Sequence, residues 1–256
     1  MPATDLALLI DASLAGGQIA MSYWRRDPET RAKPDGSPVS EADLAVDGAL
    51  RAALLHARPD YGWLSEEAED DLARMDRERC FILDPIDGTR AYLEGHETWA
   101  VSLAVAEAGR LTAGVIHMPA KGLTYTAALG QGAALNGTPI TVTRQDEVSG
   151  ARMITSKATY AERNWRGAVP DFARHYRPSM AYRLAVVAQG RFDVMATFRQ
   201  AWEWDIAAGA LIAAEAGALV TDRHGEPLSF NSAERCSTGV LAANPALHAE
   251  ILSVMA

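Results

Sequence analysis

The sequence is poor in cysteine and in positive charge. Its 256 residues include two cysteines, Cys80 and Cys236, which are too few for a disulfide framework or a cysteine-rich zinc site and fit a reducing compartment. Lysine and arginine number 24 against 33 aspartates and glutamates, so the formal charge is −9. This balance disfavours attachment to a nucleic-acid polymer or an anionic lipid surface through a basic face. We therefore expect cations or small molecules as partners.

The chain also lacks long hydrophobic runs, internal repeats and low-complexity tracts. No stretch approaches the ~20 consecutive apolar residues of a membrane span. Asp5 and Asp11 lie where a signal peptide requires an apolar core, and no basic segment precedes them. These absences predict a cytoplasmic protein that has no membrane partner.

The residues that are present indicate a folded protein with a substantial core. Apolar residues make up 48% of the chain and charged residues 22%, which is ordinary for a folded domain and too apolar for a disordered one. The length allows one large domain or two small, closely joined ones.

Periodicity and turn residues predict helices on an antiparallel sheet in the first half and a mixed α/β second half. The predicted helices are 5–25, 41–56, 180–189, 206–215 and 245–254. The predicted strands are 80–83, 100–106, 112–117, 123–127, 153–155, 192–196, 218–221 and 238–242. Asn136-Gly137 is the strongest hairpin signal, and the polar segment 143–150 is the best boundary between two parts, 1–145 and 146–256.

The most informative segment is Asp-Pro-Ile-Asp-Gly-Thr, from Asp84 to Thr89. We expect the preceding strand to stop at Asp84 and the turn to return Asp87 to the same side. Two carboxylates and the Ile86 carbonyl could then converge as hard oxygen ligands. Gly88 and Thr89 open a short helix whose free N–H groups favour an anion. Metal ligands beside such a helix start suit a phosphate.

Other interpretations of this segment fit less well. An isolated Asp-Gly is usually only a turn, so the context decides. An EF-hand loop needs acids at alternate positions and a glutamate at its twelfth, whereas the third residue here is Ile86 and the twelfth is Gly95. Phosphatases that form an aspartyl phosphate typically space their two aspartates by one residue rather than two.

Two further acidic sites strengthen the case for a metal. Glu66 and Glu67 precede the segment by fewer than 20 residues, so either can lie beside Asp84. The rest of that acidic run, 69–71, is expected to be a solvated loop. Asp205 is expected at the N-cap of an apolar helix, where plain capping is the alternative to a functional role.

Taken together, these segments resemble the inositol monophosphatase family, the lithium-sensitive, magnesium-dependent phosphomonoesterases that include inositol monophosphatases and 3′(2′),5′-bisphosphate nucleotidases. The resemblance covers almost the whole chain. The segments that match the family's motifs are Pro38–Asp43, Glu66–Glu67, Asp84–Thr89, Trp204–Gly209 and Glu215–Gly217. It implies a layered α-β-α-β-α sandwich. In this sandwich 1–145 would be a metal-binding α+β subdomain, and 146–256 an α/β subdomain that completes one compact catalytic unit.

The resemblance also implies a phosphoric monoester hydrolase with two or three Mg²⁺ ions. The implied metal ligands are Glu66, Asp84, the Ile86 carbonyl, Asp87 and Asp205. Asp43 would hold a third ion through water, and Thr89, hydrogen-bonded to Glu66 or to Asp43, would orient the attacking water and take its proton. Asp87 and the N–H groups of Gly88 and Thr89 would hold the phosphate. Such a cluster is needed because a dianionic monoester repels hydroxide.

The sequence defines less well the part of the substrate to which the phosphate is attached. The candidate substrate contacts are Ser179, Met180, Arg183 and Arg199. Arg183, Arg199 and Lys157 could bind a second phosphate or could be ordinary surface charges. Pro178 stands where the family usually has glycine. This difference puts in doubt the shape of the segment that would contact the substrate beyond its phosphate.

The subfamily signals point in two directions. Segments 33–39 and 64–67 look like bacterial bisphosphate nucleotidases, which convert adenosine 3′,5′-bisphosphate to AMP and phosphate. In contrast, Ile86 and the segment 99–103 look closer to inositol and sugar phosphatases. We slightly favour the nucleotidase.

A catalytically silent relative that binds a metal-bound phosphate as a regulator is the alternative of another class. Thr89 speaks against it, because a module that only binds has no need of a water activator. The resemblance further implies a homodimer that acts on a small phosphorylated metabolite.

Overall fold

The computed structural model describes residues 4–70 and 72–256. Its α-helices are α1 (Asp5–Tyr23), α2 (Glu41–Ala57), α3 (Thr89–Leu93), α4 (Met180–Ala188), α5 (Glu203–Glu215) and α6 (Pro245–Val254). Thr4 caps α1 by accepting a hydrogen bond from the Ala7 N–H, and Ser40 and Asp43 form a capping box on α2. All five predicted helices are confirmed to within two or three residues at their ends.

The first half forms an antiparallel strand pair and a seven-stranded sheet. The pair is β1 (Thr30–Ala32) and β2 (Pro38–Ser40). The sheet contains, in spatial order, β3 (Gly62–Ser65), β4 (Arg79–Asp87), β5 (Ala100–Glu107), β6 (Arg110–Met118), β7 (Leu123–Ala128), β8 (Ala133–Leu135) and β9 (Thr138–Pro139). β3 pairs parallel with β4, and every later pair is antiparallel. The predicted antiparallel sheet is therefore confirmed except at this edge.

The second half forms a mixed five-stranded sheet and a small strand pair. Its strands are β10 (Arg152–Ile154), β11 (Ala173–His175), β12 (Val194–Thr197), β13 (Ala201–Trp202), β14 (Leu219–Thr221), β15 (Cys236–Ser237) and β16 (Val240–Ala243). The sheet order is β11-β10-β12-β16-β14, and β13 pairs with β15. The four strands predicted in this half are present, and the predicted mixed α/β character is confirmed.

Alternating residues of β4 face two different helical layers. Phe81 and Leu83 pack in one core with α1 and α2, whereas Cys80 and Ile82 pack in another with α4 and α5. The strand is buried on both faces, which explains why 80–83 is a continuous apolar run.

Helices α4 and α5 form a layer between the two sheets. A Cβ at Gly209 of α5 would lie 2.6 Å from the Leu184 Cβ of α4, so the glycine permits close contact between these helices. On the other side of this layer, Met195 and Ala242 of the second sheet join the same core, and Leu247 of α6 packs on that sheet's outer face. The predicted α-β-α-β-α sandwich is confirmed.

Among the described residues, one helix is long and apolar enough to cross a membrane by length and composition. This helix is α1, with 19 residues and a mean hydropathy of 1.3 in its most apolar window. Leu9 and Ala20 of α1 are fully buried against α2 and the first sheet, but only 33% of the window is buried. Core helices of folded domains and signal sequences near an N-terminus pass the same test. The expectation that the chain has no membrane partner stays a prediction.

Three local predictions are wrong. β4 does not stop at Asp84 but continues to Asp87 with a shift of register between the two residues. Asp205 is not the N-cap of α5, because the helix begins at Glu203 and places Asp205 in its first turn. Asp70 is not solvated: it forms a buried ion pair with Arg74 at 2.9 Å. Asp71, also expected in a solvated loop, lies outside the described residues.

Candidate active site

Three carboxylates from three elements meet beside β4. Glu66 follows β3, Asp84 lies within β4, and Asp205 lies in the first turn of α5. Each offers one carboxylate oxygen, and the three oxygens lie within 4.8 Å of one another. The parallel register that pairs Ser65 with Leu83 brings Glu66 level with Asp84. The structure thus brings together residues that are up to 139 positions apart in the sequence.

The electrostatics of this carboxylate cluster favour a cation. Burial raises the pKa of Asp84 well above its ordinary range, and the charges of Glu66 and Asp87 raise it further. Burial, followed by the charges of Asp87 and Glu66, likewise raises the pKa of Asp205. A hard divalent cation would relieve this repulsion, and an all-oxygen donor set is the one that Mg²⁺ prefers. The residues present therefore fit the implied metal.

Asp87 is also buried. Besides facing the cluster, its carboxylate accepts hydrogen bonds from the start of α4. Its Oδ2 accepts hydrogen bonds from the Ser179 hydroxyl at 2.5 Å and the Ala181 N–H at 2.7 Å, and its Oδ1 accepts one from the Met180 N–H at 3.1 Å. Burial raises the pKa of Asp87 to about 6, although these hydrogen bonds oppose the rise. Asp87 is not one of the three carboxylates whose oxygens lie within 4.8 Å, so its predicted role as a metal ligand stays a prediction.

Thr89 lies between a buried aspartate and a backbone carbonyl. Its Oγ1 is 3.3 Å from Asp43 Oδ1 and 3.2 Å from the Ile86 oxygen. The sequence left Glu66 and Asp43 open as partners of Thr89, and the structure selects Asp43. Asp43 is held in turn by the Ser40 N–H and hydroxyl at 2.8 and 2.5 Å. Burial raises the pKa of Asp43 despite these bonds.

Gly88 makes the sharp change from strand to helix at this point. Its φ of 98° lies in the left-handed region, where a side chain would be strained, and it immediately precedes α3. The turn leaves the Thr89 hydroxyl within 3.2 Å of the Ile86 oxygen near the end of β4.

A lysine that the sequence did not suggest as a site residue bridges two of the acids. The Lys33 Nζ donates to Glu66 Oε1 at 2.7 Å and to Glu67 Oε1 at 2.8 Å. Burial alone would lower the pKa of Lys33, but attraction to Glu66 and Glu67 outweighs burial and raises it. Burial also raises the pKa of Glu67 to about 7. No spacing in the sequence links residue 33 to residues 66–67, so only the fold reveals this contact.

The acids open into a cavity of about 260 Å³, enough for a small molecule. Met180, Arg183 and Arg199, three of the predicted substrate contacts, line it together with Tyr176 and Pro178. The fourth predicted contact, Ser179, is fully buried and acts on Asp87 instead of lining the cavity.

Arg183 is not a surface charge, because only 4% of it is exposed. Its guanidinium donates to the carbonyl oxygens of Arg177 and Pro178 at 2.5 and 3.2 Å and lies 4.9 Å from the Tyr176 ring centre. Burial lowers the pKa of Arg183, while the nearby Tyr176 and Asp87 oppose that shift. Arg183 therefore supplies a fixed positive charge on the wall of an otherwise acidic cavity.

The chain is similar to known proteins over most of its length. Residues 2–255 match the family model described as the inositol monophosphatase family. An inositol-1-monophosphatase of Rhizobium meliloti is 35% identical over 85% of each chain. A histidinol-phosphatase of Chlorobaculum parvum is 29% identical, covering 98% of this chain and 96% of its own. The 3′(2′),5′-bisphosphate nucleotidase CysQ of Escherichia coli is also 29% identical, covering 86% and 91%.

Solved structures of related proteins have the same fold. The extragenic suppressor protein SuhB from Bartonella henselae superimposes with a TM-score of 0.85 at 27% identity and covers 98% of both chains. An inositol monophosphatase from Thermotoga maritima gives a TM-score of 0.84 at 29% identity, covering 97% of this chain and 95% of its own.

The chain belongs to the inositol monophosphatase family. It is a phosphoric monoester hydrolase of a metal-dependent family, and the acidic cluster that such an enzyme requires is present.

Proposed function

We propose that this chain hydrolyses the phosphate monoester of a small metabolite with Mg²⁺ held by Glu66, Asp84 and Asp205. The observation that carries the proposal is the approach of the three carboxylate oxygens to within 4.8 Å of one another in a cavity of about 260 Å³. The Ile86 carbonyl and Asp87 are the further ligands that the resemblance implies. Two or three ions are expected.

Mg²⁺ bound there would offset the charge of the phosphoryl oxygens and make a water molecule more acidic. Other residues of this chain are proposed to make the remaining contacts with the phosphate. Arg183 presents a positive charge to the same cavity from its buried position on α4. Gly88 and Thr89 lie at the start of α3, where their N–H groups are proposed to bind the phosphate.

Thr89 and Asp43 are proposed to activate the attacking water. The Thr89 hydroxyl has one proton, which it donates to Asp43 or to the Ile86 oxygen. Its lone pairs remain available to accept a hydrogen bond from water in the cavity that Thr89 lines. When Thr89 accepts the proton of that water, it can pass its own to Asp43. The raised pKa of Asp43 suits it to receive a proton. Glu66 completes the proposed catalytic set as a ligand beside this water.

The substrate is proposed to be 3′(2′),5′-bisphosphorylated adenosine, with inositol 1-phosphate or a sugar phosphate as the second candidate. The likeness of 33–39 and 64–67 to bisphosphate nucleotidases supports the first, and the 35% identity to an inositol-1-monophosphatase supports the second. Histidinol phosphate belongs in the same test because a histidinol-phosphatase matches almost the whole chain.

Phosphate release from these four types of substrate, with Mg²⁺ and with EDTA, tests the proposal. We expect turnover of at least one substrate with Mg²⁺ and none with EDTA. Turnover that is equal in EDTA would contradict the metal assignment. No turnover of any substrate would favour the silent phosphate-binding alternative.

The two parts of the chain, 1–145 and 146–256, are proposed to act as one catalytic unit. Glu66 and Asp84 come from the first part and Asp205 from the second, so neither part alone holds the three acids. We expect both parts to unfold in a single transition when urea unfolding is followed by fluorescence and circular dichroism. The homodimer and the cytoplasmic location remain predictions from the sequence; light scattering on the purified protein tests the dimer.

A further inference from the structure

Glu203 is a buried acid that the proposed chemistry does not use. It is the first residue of α5, and only 1% of it is exposed. Asp205, one of the three acids of the cluster, lies two residues further along the same turn. Because successive residues of a helix are about 100° apart, the two side chains project from nearly opposite sides of α5. Glu203 does not line the active-site cavity, whereas Asp205 does.

Both carboxylate oxygens of Glu203 accept hydrogen bonds from one loop of the second half. Oε2 accepts from the Asn231 N–H at 2.6 Å, and Oε1 accepts from the Ser232 N–H and hydroxyl at 2.9 and 2.6 Å. The Glu203 N–H in turn donates to the Arg235 carbonyl oxygen at 2.9 Å. We call residues 229–235, which lie between β14 and β15, the anchor loop.

The anchor loop holds a helix start that has no capping side chain of its own. The N-cap position of α5 is Trp202, and an indole can donate a hydrogen bond but cannot accept one from the first turn. The position of that turn is set instead by the bonds between Glu203 and the anchor loop. A shift of Glu203 would therefore move Asp205 with it.

Arg74 ties the anchor loop to the first sheet. Arg74 lies between β3 and β4, and only 3% of it is exposed. Its Nη1 donates to the side-chain oxygen of Asn231 at 2.6 Å, and its Nη2 donates to the carbonyl oxygen of Ser232 at 2.8 Å. The ion pair with Asp70 holds the same guanidinium from another side. Arg74 thus contacts the two residues that bind Glu203.

Two further contacts keep these segments on the first sheet. A Cβ at Gly62, the first residue of β3, would lie 2.7 Å from the Arg74 Cβ, so Arg74 packs directly against this strand. The Phe230 N–H of the anchor loop donates to the carbonyl oxygen of Gly109, in the turn between β5 and β6, at 3.0 Å. The anchor loop is therefore fastened to the sheet whose strands β3 and β4 place Glu66 and Asp84.

The acidic cluster spans the junction that these contacts join. Glu66 and Asp84 belong to the first sheet, whereas Asp205 belongs to α5. A metal site requires its ligands to be held within about 0.5 Å of the productive geometry, and supporting contacts outside the ligands set that geometry. The contacts from Arg74 through the anchor loop to Glu203 supply such support.

We propose that Glu203 is a positioning residue for the metal site. By binding the anchor loop it fixes the first turn of α5, so that the carboxylate of Asp205 meets those of Glu66 and Asp84. This proposal rests on the proposed function, which places the metal at these three acids.

Titration with Mn²⁺, followed by the electron paramagnetic resonance signal of the free ion, examines the metal site without substrate. Glu203→Gln places an amide donor where the anchor loop also donates. Its dissociation constant for Mn²⁺ should rise at least about threefold. Ser232→Ala removes only one of the three donors and should raise the constant at least about twofold. Glu203→Gln decides the test if circular dichroism shows that it is folded, and otherwise Ser232→Ala decides it.

Asn244→Ala separates positioning from general destabilisation. Asn244 caps α6 by accepting from the N–H groups of Ala246 and Leu247 at 3.1 and 3.2 Å, and α6 packs on the outer face of the second sheet. Its replacement should lower the Tm but leave the affinity for Mn²⁺ at the wild-type value. A wild-type dissociation constant in the deciding variant, or an equal rise in Asn244→Ala, would overturn the proposal.

The Mg²⁺ requirement of turnover gives a second readout. In the deciding variant, the Mg²⁺ concentration for half-maximal phosphate release should rise by about the factor found for Mn²⁺. The KM for substrate at saturating Mg²⁺ should stay at the wild-type value, because Glu203 does not line the cavity. A raised KM with an unchanged Mg²⁺ requirement would overturn the proposal.

The wild-type enzyme separates this proposal from the proposed function. If it binds no Mn²⁺ and releases no phosphate with Mg²⁺, the proposed function fails, and the role of Glu203 fails with it. If it does both and the deciding variant matches it, only the role of Glu203 fails.

Discussion

The Ser179 hydroxyl donates a 2.5 Å hydrogen bond to Asp87, and this contact joins the end of β4 to the start of α4. The same Ser179 oxygen accepts from the Tyr182 N–H at 3.0 Å and so caps α4. Arg183, which lines the cavity, lies one turn further along this helix. A buried carboxylate from one sheet therefore orients the helix that forms the opposite wall of the cavity.

Replacing this serine should loosen the wall and destabilise the protein. Ser179→Ala removes one helix cap and one hydrogen bond to a buried carboxylate, which together are worth roughly 1–3 kcal/mol of unfolding free energy. Urea unfolding of the variant measures the loss. Ser149→Ala, at an exposed turn, is the matched control and should change the free energy by less than about 0.5 kcal/mol. Equal effects of the two changes would show that the contact with Asp87 contributes nothing.

The stability of the metal-free protein should depend on pH through the buried acids. Burial places the pKa of Asp87 at about 6 and that of Asp84 well above the ordinary 3.8, so the folded state holds protons that the unfolded state has released. The stabilisation from protonation is complete below the unfolded pKa of 3.8 and is lost as the pH rises through the folded values.

In EDTA, the difference in Tm between wild type and Asp84→Asn should therefore change with pH. The wild type should lose stability relative to the variant as the pH rises from about 4 to 7, because the asparagine does not ionise. Mg²⁺ should reverse this trend for the wild type, since it binds the ionised carboxylates. Calorimetry over this range is the measurement, and a difference in Tm that is independent of pH would contradict the assignment.

Thr89 should matter for turnover more than for binding. Thr89→Val keeps the shape but removes the hydroxyl next to Asp43, so kcat should fall about 10²- to 10⁴-fold while KM changes little. Thr89→Ser restores a hydroxyl and should recover much of kcat. A Thr89→Val enzyme with wild-type kcat would exclude Thr89 as the water activator.

Lys33 should compete with the metal for Glu66. Its ammonium lies 2.7 Å from the Glu66 oxygen, and a divalent cation bound by Glu66 would be repelled by it. Lys33→Met should lower the Tm in EDTA and tighten the binding of Mg²⁺ at least about threefold. Isothermal titration measures the affinity.

Lys121→Met is the control for this change, because Lys121 pairs with Glu97 away from the acidic cluster. It should bind Mg²⁺ as the wild type does. Weaker binding of Mg²⁺ by Lys33→Met would mean that Lys33 supports the site rather than competing for it.

The acids were predictable because each belongs to a short motif with local meaning. Asp84 directly follows the apolar run 80–83, Glu66 precedes that run by one connection, and Asp205 directly precedes the apolar stretch 206–215. The capping residues Thr4 and Ser40 were predictable for the same reason, since they act on neighbours in the sequence.

What the sequence did not predict depends on contacts between distant segments. The continuation of β4 to Asp87 follows from pairing with β5, and the contact of Lys33 with Glu66 follows from the position of a loop 33 residues away. Arg199 and Arg223 line one cavity only because β12 and β14 flank β16, run in the same direction and end at the same edge of the second sheet. No periodicity or spacing carries such information.

The central claim is that Glu66, Asp84 and Asp205 together hold the catalytic metal. Binding of Mn²⁺, which also prefers oxygen ligands, can be measured from the electron paramagnetic resonance signal of the free ion. Glu66→Gln, Asp84→Asn and Asp205→Asn should each weaken binding at least about tenfold and lower Mg²⁺-dependent phosphate release in parallel. The exposed Asp60→Asn should match the wild type. Wild-type affinity for Mn²⁺ in all three variants would contradict the account.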